Sequence, residues 1–276
     1  MKMIRIHPRI EMFRQLLRKI KNDDVQGISA QLTFYLILSL FPFLIFIMTL
    51  VGYANITMSD NIKYLEEIMP AEAVAIIEEI VQEVSEGRSQ ALLSFGMLAT
   101  LWTASRGINA VIKGLNRAYG IEENRVFWRL RGLSLLATLA VGLVILFSTL
   151  LLVFGSWLKK QVFLLTDLPY IFYQLWNLLQ YAVPLLVMFI VFTLLYWIAP
   201  NRRIPYKTVL PGAAFTTVSW ITASVLFSIY VSQFSDFTKT YGSLGGVTVL
   251  LLWLYISSII VLVGGEINAT LAEQKA

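Results

Sequence analysis

Six long apolar runs constrain this chain more than any motif it carries, at approximately residues 29–52, 91–112, 132–157, 178–199, 208–230 and 244–269. A hydrocarbon core about 30 Å thick is crossed by about 20 helical residues, and each run is that long. No stretch alternates as a barrel strand would, so helices are the elements that satisfy their own backbone in lipid. The expected fold is therefore all-α, a polytopic membrane bundle of six transmembrane helices. Over 276 residues the chain is 57% hydrophobic and 14% charged, against about 45–50% and about 25% for ordinary soluble domains. A water-soluble globule of this composition would expose large apolar patches, which soluble monomers avoid. Soluble enzymes, disordered chains and disulfide scaffolds are excluded on that ground.

Charge gives the orientation. Lys and Arg crowd the N-terminal segment (Arg5, Arg9, Arg14, Arg18, Lys19, Lys21), the loop after the second run (Lys113, Arg117, Arg125, Arg129, Arg131) and the loop after the fourth (Arg202, Arg203, Lys207). The alternate loops hold only Lys63 and Arg88, then Lys159 and Lys160, then Lys239. The positive-inside rule makes both termini cytoplasmic, as an even number of spans requires. Two regions follow: a cytoplasmic basic segment over 1–28 and a transmembrane domain over 29–276. In the first, Ile6, Ile10, Phe13, Leu17 and Ile20 recur at helical spacing between basic residues, the pattern of an amphipathic helix lying on a leaflet. It reads as a topology anchor or a binder of anionic lipid. No signal peptide is read there, because charges interrupt the segment throughout. At about 53–90, Glu66, Glu67, Glu72, Glu78, Glu79 and Glu83 alternate with apolar residues at helical spacing around Pro70. That predicts an acidic external helical hairpin.

Ionisable groups inside a bilayer are costly and become functional candidates by default. Two qualify, Arg106 in the second run and Glu266 near the end of the sixth. Both fall in the cytoplasmic half of helices running the same way, so an Arg106–Glu266 pair is sterically open, with Asn109 and Asn268 within about one helical turn. The pair reads either as a static ion pair, or snorkelling to the interface, or as a substrate-binding or gating site. Pro42 and Pro184 should kink the first and fourth helices, as transporter helices often do near a site. Tyr241 and Gly242 open the sixth run in a glycine-rich stretch that permits close backbone approach or a re-entrant turn. Thr216, Thr217, Ser219 and Thr222 make the fifth run the most polar, suited to bridging helices or lining a cavity. Trp220 and Trp253, deep inside their runs, suit helix contacts.

The missing chemistry is as informative. The chain has no Cys and one His, His7, so thiolate metal sites, Cys nucleophiles and a His-based triad have nothing to build on. It has no Walker A sequence and no acidic cluster for two-metal phosphodiester cleavage. Asp23-Asp24 and Glu122-Glu123 read as surface pairs in basic loops. The expectation is a protein without cofactor, metal or catalytic residues.

Several segments together resemble the YihY/BrkB family of bacterial cytoplasmic-membrane proteins. They are Gly27-Ile28-Ser29-Ala30-Gln31-Leu32-Thr33-Phe34-Tyr35 leading into Ser39-Leu40-Phe41-Pro42, and Leu101-Trp102-Thr103-Ala104-Ser105-Arg106-Gly107 through Leu115-Asn116-Arg117-Ala118-Tyr119. Pro211-Gly212-Ala213, Tyr241-Gly242-Ser243-Leu244-Gly245, Leu252-Trp253-Leu254-Tyr255 and Gly265-Glu266-Ile267-Asn268 continue the series in order. Gln31 departs from the small apolar residue more frequent there. The resemblance implies a six-helix inner-membrane protein. Of the roles attached to the family, an older ribonuclease label is opposed by the missing nuclease constellation, and resistance to serum killing is a phenotype without a mechanism. Movement of lipids or envelope precursors fits the intramembrane polar residues best.

The leading expectation is thus a transporter or exporter of an amphiphilic, lipid-like envelope substrate. Its candidate binding or gating residues are Arg106, Glu266, Asn109, Asn268, Pro42, Tyr241 and Gly242. The competing expectation is a non-transporting scaffold or envelope assembly factor. Expected partners are membrane lipids and an anionic amphiphilic substrate, with room for a homo-oligomer or an envelope protein and none for nucleic acid.

Overall fold

A computed structural model of the chain describes residues 8–53, 90–144, 170–233 and 243–274. Among the described residues there are seven helices and no strand. They are α1 (Pro8–Asn22), α2 (Val25–Tyr53), α3 (Gln90–Ala118), α4 (Phe127–Val144), α5 (Tyr170–Ile198), α6 (Tyr206–Gln233) and α7 (Ser243–Glu273). The acidic residues of the expected hairpin, and Tyr241 and Gly242, lie outside the described residues.

Five of these helices, α2, α4, α5, α6 and α7, are long and apolar enough to cross a membrane. The expected second span is helical throughout as α3, with 29 residues, but it is not among the five. Ser94, Thr100, Thr103, Ser105, Arg106 and Asn109 dilute its apolar residues. No more than 28% of any of the five spans is buried within the chain, and Phe41, Leu136, Leu178, Val218 and Leu226 point outward. Water would oppose such exposure, whereas hydrocarbon does not.

The described residues form two compact units, one of residues up to Phe34 and from Ser105 onward, the other of Tyr35 to Ala104. In the second unit, α3 approaches α2 at Gly96. A Cβ there would stand 2.9 Å from the Phe46 nitrogen and 3.1 Å from the Pro42 carbonyl oxygen. Pro42 lies inside α2 as expected and removes the helix bond to Leu38.

In the first unit, α5, α6 and α7 pack around a polar knot. Gly212 of α6 faces Gly264 of α7 so closely that a Cβ on either would collide with the other helix, on the Gly264 carbonyl or on Thr216 Oγ1. Such backbone approach is what small residues allow between helices in lipid. The contact is fastened from both sides. Tyr196, fully buried on α5, shares a 2.6 Å hydrogen bond with Thr216 Oγ1 and donates to the Val261 carbonyl at 2.6 Å. Asn268 accepts from the Gly212 N–H at 2.7 Å and donates to the Val209 carbonyl at 3.1 Å. Pro211 interrupts α6 at this turn, so the Asn268 amide bonds backbone groups where the helical ladder is broken. Further along, Trp220 and Trp253 meet edge to face at 5.7 Å, and Trp220 Nε1 donates to Ser257 Oγ, as their depth in the spans led one to expect.

Helix ends follow local chemistry. Gly120, with φ +63°, ends α3 while Ile121 N–H bonds the Asn116 carbonyl and Gly120 N–H bonds that of Arg117, a Schellman arrangement. Asp24, with φ +54°, turns the chain between α1 and α2.

The glycine contact sets a clear expectation. Gly264→Ala should overpack the crossing and destabilise by about 1–3 kcal/mol. Tyr196→Phe, which keeps the ring and strands its partners, should cost about 1–3 kcal/mol. Thermal unfolding in detergent checks both, and a Gly264→Ala protein as stable as the parent would contradict the packing described.

Candidate functional site

Buried charge gathers where α1, the α1–α2 junction and the C-terminal ends of α3 and α7 meet. Glu266 is 1% exposed, and its Oε2 has no hydrogen-bond partner. It lies against Asp23 of the α1–α2 junction, with Lys19 and Glu273 within electrostatic reach. Lys19 bonds Glu273 at 2.5 Å, and Gln15 donates to the same carboxylate, which ties α1 to the end of α7. Arg117 of α3 donates to the Asn22 carbonyl at 3.0 Å, filling an open acceptor at the end of α1, and stands 3.9 Å from Asp23. Tyr119, just past α3, keeps a buried hydroxyl without a hydrogen-bond partner. Burial, and then the neighbouring Glu266 carboxyl, push its phenol above the ordinary range. Asp23 also lines a polar cavity of about 610 Å³ with Asn109, Lys113, Asn116, Arg117 and Glu123.

That cavity is walled by a hydrogen-bonded loop pair. Asn116, 3% exposed, donates to Glu123 Oε2 at 2.7 Å and accepts from the Asn201 N–H at 2.8 Å. Arg125 grips Glu123 through Nε and a terminal nitrogen, at 2.7 and 2.6 Å, and donates onward to the Ala199 carbonyl. One buried amide and one bidentate ion pair thereby join the α3–α4 and α5–α6 loops. Arg125 hydrogen bonding holds the Glu123 carboxyl below its usual range, against an opposing effect of burial.

A second feature sits on α3, α4 and α5. Ile108, Ile112, Leu133, Leu136, Ala137 and Leu195 are among the residues lining an apolar cavity of about 280 Å³. Arg106 precedes Ile108 on α3, and Arg131 precedes Leu133 on α4, each by two residues. Arg131 is 8% exposed and feels the charge of Arg106. Arg106 and Arg131 are thus within electrostatic reach of each other on two of the helices that wall an apolar groove, and guanidiniums suit a planar or phosphate-like anion.

The residues singled out by sequence separate accordingly. Glu266 is buried beside Asp23 and Tyr119, while Arg106 is exposed and neighbours Arg131. Asn109 lines the polar cavity, Asn268 fastens α6 to α7, and Pro42 sits on α2 in the other compact unit. Arg131 read as a loop cation, and Asp23 and Glu123 as surface acids. The signal that could have found the two acids is their position beside helix ends that must be capped, whereas nothing in the sequence marks Arg131.

The loop pair has a pH signature. Glu123 is held below its unfolded value, so its contribution is complete above the ordinary carboxylate range, near about 4.3, and is lost as pH falls through the lowered folded value. Protection of the Arg125 and Asn201 amides, relative to their intrinsic exchange, should fall on acidification below that range, and Glu123→Gln should show weak protection even at neutral pH. Asn116→Ala, which strands the Asn201 N–H, should cost about 1–3 kcal/mol. Protection at these amides that does not change with acid would contradict the tie.

Among the described residues no group of three or more His, Cys, Asp or Glu is placed to hold a metal ion. The sequence profile of virulence factor BrkB matches residues 16–276. The chain is 41% identical over 266 residues to the ribonuclease-like protein YfkH of Bacillus subtilis (strain 168), covering 96% of this chain and 97% of that one. It is 25% identical to a UPF0761 membrane protein of Alteromonas mediterranea, covering 95% of this chain and 88% of the relative. For a UPF0761 membrane protein of Vibrio parahaemolyticus the identity is 23%, over 96% and 83% of the two chains. No solved structure matches. With a profile match across nearly its whole length and five helices fit to cross a bilayer, the chain belongs to the BrkB family of membrane proteins.

Proposed function

We propose that this chain is a multi-pass cytoplasmic-membrane transporter or exporter whose substrate is an anionic, lipid-like amphiphile. Arg106 and Arg131 beside the apolar cavity of α3, α4 and α5 carry the reading. In it the head group meets the two guanidiniums and the apolar chain lies along Ile108, Leu133, Leu136 and Leu195. Burying a chain offers about 0.8 kcal/mol per methylene from water, but almost none of this applies to a lipid already in the bilayer. Selection therefore falls to the charged contacts. In this proposal α3 is the sixth span, tolerated by its neighbours despite its polar residues, and the basic loops hold both termini in the cytoplasm. The polar cavity around Asn109 and Lys113 would then open to the cytoplasm. The function is non-enzymatic: one His and no Cys leave little for nuclease chemistry, and the word ribonuclease belongs to the name of YfkH.

A second reading, a non-transporting scaffold or envelope assembly factor, draws on α1. Phe13 and Leu17 are 57% and 51% exposed beside the exposed Arg14 and Arg18, a face fit for a leaflet or a partner helix.

Purified protein in vesicles containing head-group-labelled phosphatidylglycerol distinguishes the two. Transport predicts loss of the label to an impermeant quencher faster than in empty vesicles. Arg106→Ala and Arg131→Ala should each slow it about tenfold, the equivalent of losing one charge-assisted hydrogen bond. No movement above empty vesicles across anionic and zwitterionic lipids would sink transport and leave the scaffold.

A further inference from the structure

Residues 199–205 join α5 to α6, two helices fit to cross a bilayer, and a short loop between two spans lies at the membrane surface. An open cavity of about 850 Å³ is set into this loop, with Trp197, Asn201, Arg202, Arg203 and Tyr206 in its lining. That size lies within the range of ligand pockets, about 300–1,000 Å³. Among the described residues the lining holds two guanidiniums and no carboxylate. Neither Arg202 nor Arg203 enters an ion pair there, whereas Arg117 and Arg125 each do. The acids of the α3–α4 loop are placed elsewhere: Glu122 and Glu123 line the other polar cavity, and Arg125 grips Glu123.

The loop is held without any ligand. The Asn201 N–H donates to Asn116 Oδ1 at 2.8 Å, its side-chain amide to the Glu122 carbonyl at 3.4 Å, and Arg125 donates to the Ala199 carbonyl at 2.9 Å. After the arginines, Ile204 is buried and Thr208 Oγ1 donates to the Pro205 carbonyl at 2.7 Å. Arg202 and Arg203 are thus exposed side chains on a backbone fixed at both ends, and a ligand binding them need not pay for ordering the loop. Guanidiniums match phosphate oxygens through paired N–H groups. Lys207, 6.0 Å from the Tyr206 ring centroid, adds a third positive charge beside the cavity. Trp197 and Tyr206 are 45% and 56% exposed, and aromatic residues flanking spans sit at headgroup depth. The phosphates concentrated at that depth are those of lipids. Ile198, which lines both this cavity and the apolar one, puts an apolar edge beside the cations.

We propose that Arg202 and Arg203 bind the phosphate of a membrane lipid, at a site separate from Arg106 and Arg131. Asn201 and Arg125 connect this loop to α3 and to the α3–α4 loop, so a headgroup seated in the cavity stabilises that end of the bundle. The inference does not rest on lipid transport: the site holds its lipid at rest, and nothing has to cross the bilayer.

Ligand binding to the purified full chain in detergent tests it. The probes are a short-chain phosphatidylglycerol, a diacylglycerol with the same chains, glycerol phosphate and inorganic phosphate. Native mass spectrometry reads the lipid adducts, and thermal unfolding reads the stabilisation that a ligand of the folded state confers. Phosphatidylglycerol should bind and raise the unfolding temperature, and diacylglycerol should do neither. A phosphatidylglycerol adduct should persist in protein carrying Arg106→Ala and Arg131→Ala. In that background Arg202→Ala with Arg203→Ala should weaken it about tenfold or more, the equivalent of one charge-assisted hydrogen bond. Lys21→Ala with Arg129→Ala, which removes as much charge outside the cavity, should leave it unchanged. Equal weakening by the two pairs would overturn the site in favour of diffuse surface charge. Loss of every adduct with Arg106→Ala and Arg131→Ala, or diacylglycerol binding as tightly, would overturn it too. Displacement of the lipid by equimolar glycerol phosphate or inorganic phosphate would overturn the lipid and assign the cavity to a soluble phosphate. Lipid-movement measurements score the transport reading separately, and neither result decides the other.

Discussion

The arrangement of α5, α6 and α7 depends on two helix backbones touching at Gly212 and Gly264. In lipid there is no hydrophobic gain from bringing apolar helices together, so association comes from close van der Waals approach and from polar groups that find each other. Both operate at this crossing. The glycines set the separation, and within that separation the Tyr196 hydroxyl reaches Thr216 and the Val261 carbonyl, while Asn268 reaches the α6 backbone. Wider spacing would strand each of these groups in hydrocarbon, where an unmade hydrogen bond is expensive. Packing and polar satisfaction are therefore one condition here.

The same crossing fixes where α7 presents Glu266. Asn268 faces α6, and two residues earlier, about 200° around the helix, Glu266 faces the α1–α2 junction. Gly265, the residue before Glu266, gives way to Leu115 of α3, whose side chain occupies the space a Cβ would need. Three consecutive faces of one helical turn thus address three different neighbours. The charged residue can be buried because the residues flanking it are already committed.

Much of this was legible in the sequence, for reasons that are physical. Apolar runs of about 20 residues report helices directly because lipid demands it, and the interior positions of Trp220, Trp253 and Pro42 follow from those runs. Glu266 and Arg106 stood out because charge inside a span is rare. Their neighbours were not legible. Which acid meets Glu266 depends on the register of α1 against α7, set by a contact between residues 254 positions apart, Lys19 and Glu273. Asn116 looked like any polar residue near a helix end. Its importance arises only because the α5–α6 loop comes back to offer Asn201. α3 shows the converse case: its polar residues lower its hydropathy below that of the five apolar helices, while Asn109, Lys113 and Asn116 among them wall the polar cavity in three dimensions.

The attachment of α1 has a consequence for how the membrane itself enters the fold. Its side-chain links to α7 are the Gln15–Glu273 hydrogen bond and the Lys19–Glu273 pair, whose lysine is mostly buried and whose carboxylate is half exposed, and partly exposed ion pairs hold about 0–1 kcal/mol, close to thermal energy. Phe13 and Leu17 meanwhile point away from the chain. A surface that covered them, whether a leaflet or a partner helix, would be a third party to the α1–α7 contact, pulling on the same short helix that leads into Asp23. Salt, and the charge of that surface, would then reach Glu266 through the tilt of α1, so that whatever covers Phe13 and Leu17 would act as a structural ligand.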